Sequence, residues 1–234
     1  MRTVAVAIIC KTPAPGKSKT RLSPPLRPDE CAAISACFIT DLGRTIAGLE
    51  HPASRPCAVY TPAGSEAELL GILPGFALTL QGEGDLGARL VKGFGDLLAS
   101  GHAGAILISS DSPTLPPSIL EAAVAAVLGG DRMVISPAFD GGYTLIGLAS
   151  VHARLFEDMV WSTETVFETT MARAGEIGLE AVVLPMWYDI DDAASYAMLK
   201  AELDGQPPPF ARTALRDAPA TRRFVEARHA MAAQ

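Results

Sequence analysis

The chain has 234 residues, 49% of them apolar and 19% charged, enough to bury one full core and too apolar for a disordered segment. No uninterrupted apolar run approaches the roughly 20 residues that span a bilayer, and the run Val4–Cys10 is too short for a secretory leader and reads as a strand. A net charge of −7 argues against a general binder of nucleic-acid polymers or membrane surfaces.

Short apolar runs alternate with helical patterns along most of the chain, the signature of an α/β architecture. Val4–Cys10, Cys57–Tyr60, Phe76–Leu80, Ala105–Ser109, Met133–Ser136, Tyr143–Leu148 and Ala181–Leu184 read as strands. Ile34, Phe38, Leu42 and Ile46 recur at helical spacing after Asp29 and Glu30, acids suited to a first helical turn. Leu86, Leu90, Phe94 and Leu97 repeat that spacing, as do Ile119, Ala123 and Val127 behind Pro116–Pro117, and 164–177 and 192–203 complete the helices. The expected assembly is a mostly parallel sheet with helices on both faces. Residues 1–204 would form that domain. Gly205–Pro209 reads as a linker, and the Arg-rich tail to residue 234 reads as a packed helix or a solvated extension. The four cysteines form no CxxC pair and read as reduced, packed thiols of a cytoplasmic protein.

Charge is unevenly placed. Residues 1–28 hold six bases and no acid, whereas 29–204 hold 24 acids against eight bases. In open α/β sheets ligands bind beyond the carboxyl ends of the strands, so the segments that follow strands carry the functional reading. The first is KTPAPGKSKTRL, where Lys11, Lys17, Lys19 and Arg21 surround Gly16 and Thr20, a set suited to phosphates. It is not a P-loop, because Lys11 stands where the first glycine belongs and Pro13 and Pro15 remove amides. Gln81–Gly87 contains a literal GxGxxG, but Glu83 and Asp85 put negative charge in the supposed pyrophosphate cradle; in the alternative reading Gln81 faces a base or sugar.

ILISSDSPTLP ends a central strand in Ser110 and Asp111, with no helix for the aspartate to cap before Pro116; a hard-cation site and a simple Asx-turn are both open. Asp140, Gly141 and Gly142 suit either a hairpin turn or close approach of a substrate. Asp189, Asp191 and Asp192 precede a helix; Asp191 or Asp192 should cap it, leaving another to join Asp111 on a Mg²⁺ ion. Ser162 or Thr163, after Trp161, reads as the N-cap of the helix over 164–177. No histidine shows metal-ligand spacing and no Ser–His–Asp constellation can be argued.

Taken in order, K-x-P-x-P-G-x-x-K-T-R-L, S-D-S-P-T-L-P, P-A-x-D-G-G-Y-x-L-I-G-L, W-S-T and D-I-D-D resemble a bacterial family of GT-A-like glycosyltransferases or nucleotidyltransferases, some associated with radical-SAM proteins and distantly similar to molybdenum-cofactor and phospholactate guanylyltransferases. The resemblance spans residues 3–203 and implies a GT-A Rossmann-like, three-layer α/β/α fold. It implies an NTP or nucleotide-sugar bound with Mg²⁺ or Mn²⁺. Asp111 would be the metal aspartate, with Asp189 or Asp191 as a second contact. The chain lacks the glycine-rich LxxGxGxR start of many nucleotidyltransferases.

On this footing the expected reaction is metal-dependent nucleotidyl transfer to a small phosphorylated acceptor with release of pyrophosphate. Lys17, Lys19, Arg21 and Asp111 would be catalytic. Lys11, Gly16, Thr20, Gln81, Gly87 and Ser110 would hold the nucleotide. Asp140, Gly141, Gly142, Tyr143, Trp161, Ser162 and Thr163 would face the acceptor. Glycosyl transfer from a nucleotide-sugar is the alternative; it needs fewer cations because two phosphates are held rather than three. A non-catalytic nucleotide-binding module is a third reading. No polymer or membrane partner is expected, and a homodimer is admitted.

Overall fold

Seven strands build one sheet in the order β3-β2-β1-β4-β6-β5-β7. They are β1 (Val4–Lys11), β2 (Ser54–Thr61), β3 (Ala77–Leu80), β4 (Gly104–Ser109), β5 (Met133–Pro137), β6 (Tyr143–Leu148) and β7 (Ala181–Val183). The structure is a computed structural model that describes residues 2–212 and 215–232, with backbone alone for 231 and 232. All pairings are parallel except those of β6, which runs antiparallel to β4 and β5. The chain reverses between β5 and β6 at Asp140–Gly142, where the Asp140 carboxylate accepts the Gly142 amide at 3.0 Å. The hairpin reading of Asp-Gly therefore holds, and it brings the amino end of β6 to the edge where the parallel strands end.

The period of two in β1 divides the core. Val4, Val6 and Ile8 join one apolar cluster and Ala5 and Ala7 the other. The first cluster is covered by α1 (Pro28–Ala47), α2 (Glu66–Ile72), α4 (Pro117–Leu128) and α6 (Ala193–Leu203); the second by α3 (Leu86–Ala99) and α5 (Val166–Glu176). These are the expected three layers, with helices on both faces. Among the described residues no helix is long and apolar enough to cross a membrane. The four cysteines are free; Cys10, Cys31 and Cys57 are buried and Cys37 partly so.

Beyond Gly205 the chain returns to the body. α7 (Pro219–Ala232) packs on α1, and the buried Asp41 carboxylate of α1 accepts the amides of Ala220 and Thr221 at 2.9 and 2.8 Å. An acid is favoured at that point by the unpaired N–H groups of the incoming helix. Phe210 sits against Tyr188, Trp187 and Phe139, with ring centroids 5.8, 6.1 and 5.0 Å away.

One local expectation is corrected and another is borne out. α5 begins at Val166 behind Thr165, so neither Ser162 nor Thr163 is its N-cap. Thr163 instead donates its hydroxyl to the Val160 carbonyl, closing a turn before the helix, and Ser162 takes a left-handed conformation (φ 62°) that a helix N-cap does not use. Of the two candidates for capping α6, Asp192 is the one, accepting the Ser195 amide at 2.8 Å.

Candidate functional site

The carboxyl ends of β1, β4 and β5 and the amino end of β6 surround three adjoining cavities of about 460, 250 and 470 Å³. The first lies over the sheet, between α3 and the Trp161 turn, and includes Lys11, Gln81, Arg89, Asp111, Tyr143 and Trp161. The second is a polar basin of Lys11, Ser18, Lys19, Thr20, Arg21, Ser35, Ser110, Asp111 and Asp191. The third opens beyond Asp189 between the β5–β6 turn and the start of α6. Asp191 borders all three.

At their junction stands an ion cluster. The Lys19 ammonium lies 2.7 Å from Asp111 Oδ2 and 2.9 Å from Asp191 Oδ1, and it donates to the Ile190 carbonyl at 2.7 Å. Only 6% of its side chain is exposed. Burial alone would lower the pKa of this lysine, but the two carboxylates outweigh it and hold the pKa above the ordinary range. Asp191 is likewise pulled below its ordinary range, against burial, by Lys19 and then by Arg21, whose Nη2 is 2.8 Å away. Lys19 reaches this position from a left-handed backbone (φ 49°, ψ 38°) at the head of a short 3-10 turn over Thr20–Leu22, a conformation uncommon for a residue with a Cβ and kept where surrounding contacts fix it.

Lys19 and Arg21, expected as free phosphate cations, are thus engaged by carboxylates. Lys17 is exposed and borders none of the three cavities, as is also true of Gly16. The cations that face the first cavity without an ion pair among the described residues are Lys11 and Arg89. Sequence reasoning missed Arg89, although one signal existed. It lies in the first turn of α3, where the helix dipole disfavours a cation, so a basic residue there calls for another explanation.

Three polar atoms around the first cavity are buried with no hydrogen-bond partner: Arg89 Nε, Tyr143 Oη and Trp161 Nε1. Unpaired buried donors cost stability, and all three belong to residues that line the first cavity. Burial also pushes the Tyr143 pKa up, so the hydroxyl stays a donor. The Gln81 amide donates to the carbonyls of Cys10 at 2.9 Å and Val59 at 3.2 Å; what it presents to the cavity is therefore its oxygen, an acceptor. Gly87 lies outside the cavities and serves them through packing: a Cβ there would stand 2.8 Å from the Phe156 carbonyl oxygen and 3.3 Å from the Trp161 ring. Gly141, with φ of +90°, lets the β5–β6 turn touch the Glu164 backbone, where a Cβ would come within 2.1 Å of the carbonyl oxygen. The dinucleotide reading of GxGxxG is not supported. Its loop follows β3 at the sheet edge, and Asp85 already accepts the Ala88 amide at the start of α3.

Asp189 sits between the first and third cavities. Ser112 Oγ donates to its Oδ1, while its Oδ2 has no partner among the described residues. Burial, and then the charge of Asp111, push its pKa up to about 7. Among the described residues no group of three or more His, Cys, Asp or Glu side chains is arranged to hold a metal unaided. Magnesium usually takes only one or two protein carboxylates and completes its shell with phosphate oxygens and water. Asp111 and Asp189, repelling one another beside one cavity, fit that more modest demand.

The chain therefore has an open α/β sheet whose polar clefts lie at the carboxyl edge, the usual ligand position of such sheets. It belongs to the family described as "Uncharacterized protein conserved in bacteria (DUF2064)", which matches residues 46–163. The fold is similar to that of a proposed nucleotide-diphospho-sugar transferase from Desulfovibrio desulfuricans G20, at 27% identity and a TM-score of 0.81, covering 99% of this chain and 97% of the other. It is also similar in fold to a cytidylyltransferase from Leptospira borgpetersenii serovar Hardjo-bovis (12% identity, TM-score 0.58, 100% and 96% covered). A third similar fold is that of a CMP:2-keto-3-deoxy-manno-octonic acid synthetase complexed with CTP (9% identity, TM-score 0.56, 88% and 100% covered). Comparison with curated protein sequences gives no match.

Proposed function

We propose that the protein is a nucleotide-dependent transferase that moves a glycosyl group from a nucleoside-diphosphate sugar to an acceptor. The observation that carries this reading is the engagement of Lys19 and Arg21 by Asp111 and Asp191, which leaves Lys11 and Arg89 as the cations facing the first cavity without an ion pair among the described residues, a set sized for two phosphates. The Desulfovibrio protein, matched over nearly its whole length, supports the same class of donor. The expectation of a triphosphate rested on four available cations in the first loop; with Lys19 and Arg21 engaged and Lys17 outside the cavities, that count no longer holds.

In this reading Lys11 and Arg89 neutralise the diphosphate, Gln81 and Ser110 accept or donate hydrogen bonds along the nucleoside, and Leu86 and Leu90 pack beneath it. Asp111 and Asp189 would hold a Mg²⁺ or Mn²⁺ ion, which when bound supplies charge neutralisation at the diphosphate. An acceptor hydroxyl entering from the third cavity attacks the anomeric carbon, the bond from that carbon to the diphosphate oxygen breaks, and the nucleoside diphosphate leaves. The acceptor proton passes to a carboxylate of the acceptor wall. Positioning and electrostatic stabilisation provide most of the acceleration in such a site.

Nucleotidyl transfer, with an acceptor phosphate attacking the α-phosphorus of an NTP and pyrophosphate leaving, is a second reading. The basin at Lys11, Ser18, Thr20 and Ser110 favours it, because it offers room for a further phosphate beside the first cavity. Product analysis separates the two: release of a nucleoside diphosphate from a UDP- or GDP-sugar supports the first, and pyrophosphate from an NTP with no turnover of nucleotide-sugars replaces it with the second. In either case Arg89→Ala is expected to weaken nucleotide binding by about 2 kcal/mol, the scale of one hydrogen-bonded charge, or roughly thirtyfold in Kd. Titration calorimetry checks this, and an unchanged Kd removes Arg89 from the donor site.

A further inference from the structure

The polar basin beside the first cavity is only partly used by a nucleotide-sugar. It shares Lys11, Ser110, Asp111 and Asp191 with the first cavity, but Ser18 and Ser35, each 7% exposed, border the basin alone. All four carboxylate oxygens in it are engaged: those of Asp111 by Ser110 and Lys19, those of Asp191 by Lys19 and Arg21. Lys11 has no ion pair among the described residues, so the basin keeps one positive charge in excess.

Ser35 adds an independent sign of a ligand. It lies in the middle of α1, where a hydroxyl residue commonly turns back to the carbonyl four residues earlier. Thr40 and Thr45 of the same helix do so, donating to Ala36 and Asp41 at 2.8 and 3.2 Å. The Ser35 hydroxyl makes no hydrogen bond among the described residues. Unlike the orphaned atoms of Arg89, Tyr143 and Trp161 it is not sealed in the interior, and the little surface it keeps opens on the basin. Ser18 Oγ already accepts the Ala14 amide at 3.1 Å, so what it has left to offer is its proton, as does the exposed Thr20 hydroxyl. Three hydroxyl donors beside an uncompensated ammonium, with every carboxylate oxygen taken, suit an anion with several terminal oxygens.

We infer, resting on the glycosyl-transfer reading above, that the basin holds a phosphate monoester group carried by the acceptor. The two phosphates of the donor are met in the first cavity by Lys11 and Arg89. The basin joins the third cavity, by which the acceptor enters, at Arg21 and Asp191. An acceptor so placed seats its phosphate on Ser18, Thr20 and Ser35. Lys11 and the outer edge of the Arg21 guanidinium, whose side chain is 67% exposed, face the charge. The acceptor hydroxyl then lies on the Asp191 side, where the three cavities meet.

The test uses the full chain and three probes on one scaffold: glucose, glucuronate and glucose 6-phosphate. A thermal-shift screen of UDP- and GDP-sugars with Mg²⁺ first selects the nucleotide. The probes are then titrated by calorimetry against protein saturated with that nucleoside diphosphate. Glucose 6-phosphate is expected to bind roughly tenfold more tightly than glucose, with glucuronate between them. Ser35→Ala, a change that a helix interior tolerates, should weaken glucose 6-phosphate about tenfold, the scale of one hydrogen bond to a charged group. Nucleotide binding by the variant, measured alongside, shows that it is folded. Glucose 6-phosphate no tighter than glucose, glucuronate equal to it, or an affinity indifferent to Ser35→Ala overturns the inference. So does a nucleoside triphosphate that binds more tightly than the diphosphate, loses that gain in Ser35→Ala and excludes glucose 6-phosphate, because the basin then belongs to a third phosphate of the nucleotide. Absence of any nucleotide shift overturns the transferase reading instead, and the same probes, titrated against the protein alone, still decide whether the basin takes a phosphate.

Discussion

Lys19→Met is expected to cost about 3–5 kcal/mol of folding stability, the penalty for removing one partner from a buried ion pair. The methionine keeps most of the volume but leaves Asp111 and Asp191 facing each other with no shared cation, since Arg21 reaches only Asp191. Two carboxylates so placed either repel or take up a proton. Denaturant melts at neutral pH measure the loss. A second arm bears on the metal: added Mg²⁺ should raise the melting temperature of the variant more than that of the parent, because a bound divalent ion can occupy the position the ammonium leaves. Equal response of both proteins would show that no divalent ion takes the position the ammonium leaves between Asp111 and Asp191. A loss below 1 kcal/mol would show that Lys19 is not the counter-ion holding this junction together.

Glu202→Gln is expected to act in the opposite direction, and only above mildly acidic pH. Glu202 is buried in α6, where its Oε2 accepts from Thr114 Oγ1 at 2.9 Å and from the Tyr188 hydroxyl, while Oε1 has no partner. Burial pushes its pKa up from 4.5 to about 7, more than these two donors lower it. Between those values the folded state holds a proton that the unfolded state has released, so stability falls as pH rises through this window and levels off above it. The full loss is on the order of 3 kcal/mol. Glutamine keeps an oxygen for Thr114 and Tyr188 and cannot ionise. The variant should match the parent near pH 4.5 and exceed it by about that amount at pH 8. Asp189, with its own raised pKa, gives both proteins the same residual slope, so the difference between the two melting curves isolates Glu202. A constant difference across pH would show that Glu202 does not titrate in the window.

The strands were legible because buried parallel strands are short apolar runs between loops. The site was legible in outline because functional groups of such sheets gather at one edge. α2 escaped notice: it has one apolar pair, Leu69–Leu70, between Gly64 and Gly71, too short for any periodicity to show. The pairing of Lys19 with Asp111 and Asp191 could not be read either. The partners are far apart in sequence, and a lysine in a basic loop looks the same whether it awaits a phosphate or is already neutralised. Asp191 and Asp192 illustrate the same limit. Adjacent and chemically identical, they are separated only by the backbone, which turns one toward the start of α6 and the other toward Lys19.

The return of the chain beyond Gly205 changes what a boundary at that glycine would mean. Phe210 stands behind Tyr188 and Phe139, and Asp41 stays satisfied in the interior because Ala220 and Thr221 bring it two amides. A protein ending at residue 204 would keep every strand of the sheet and every carboxylate of the third cavity. It would nevertheless lose the backing of one cavity wall and leave a charge buried in α1 with only Arg44, 3.5 Å away at the surface, to answer it. The tail thus behaves as a brace: none of its described residues lines the three cavities, and Phe210 holds the aromatic wall of the third from behind.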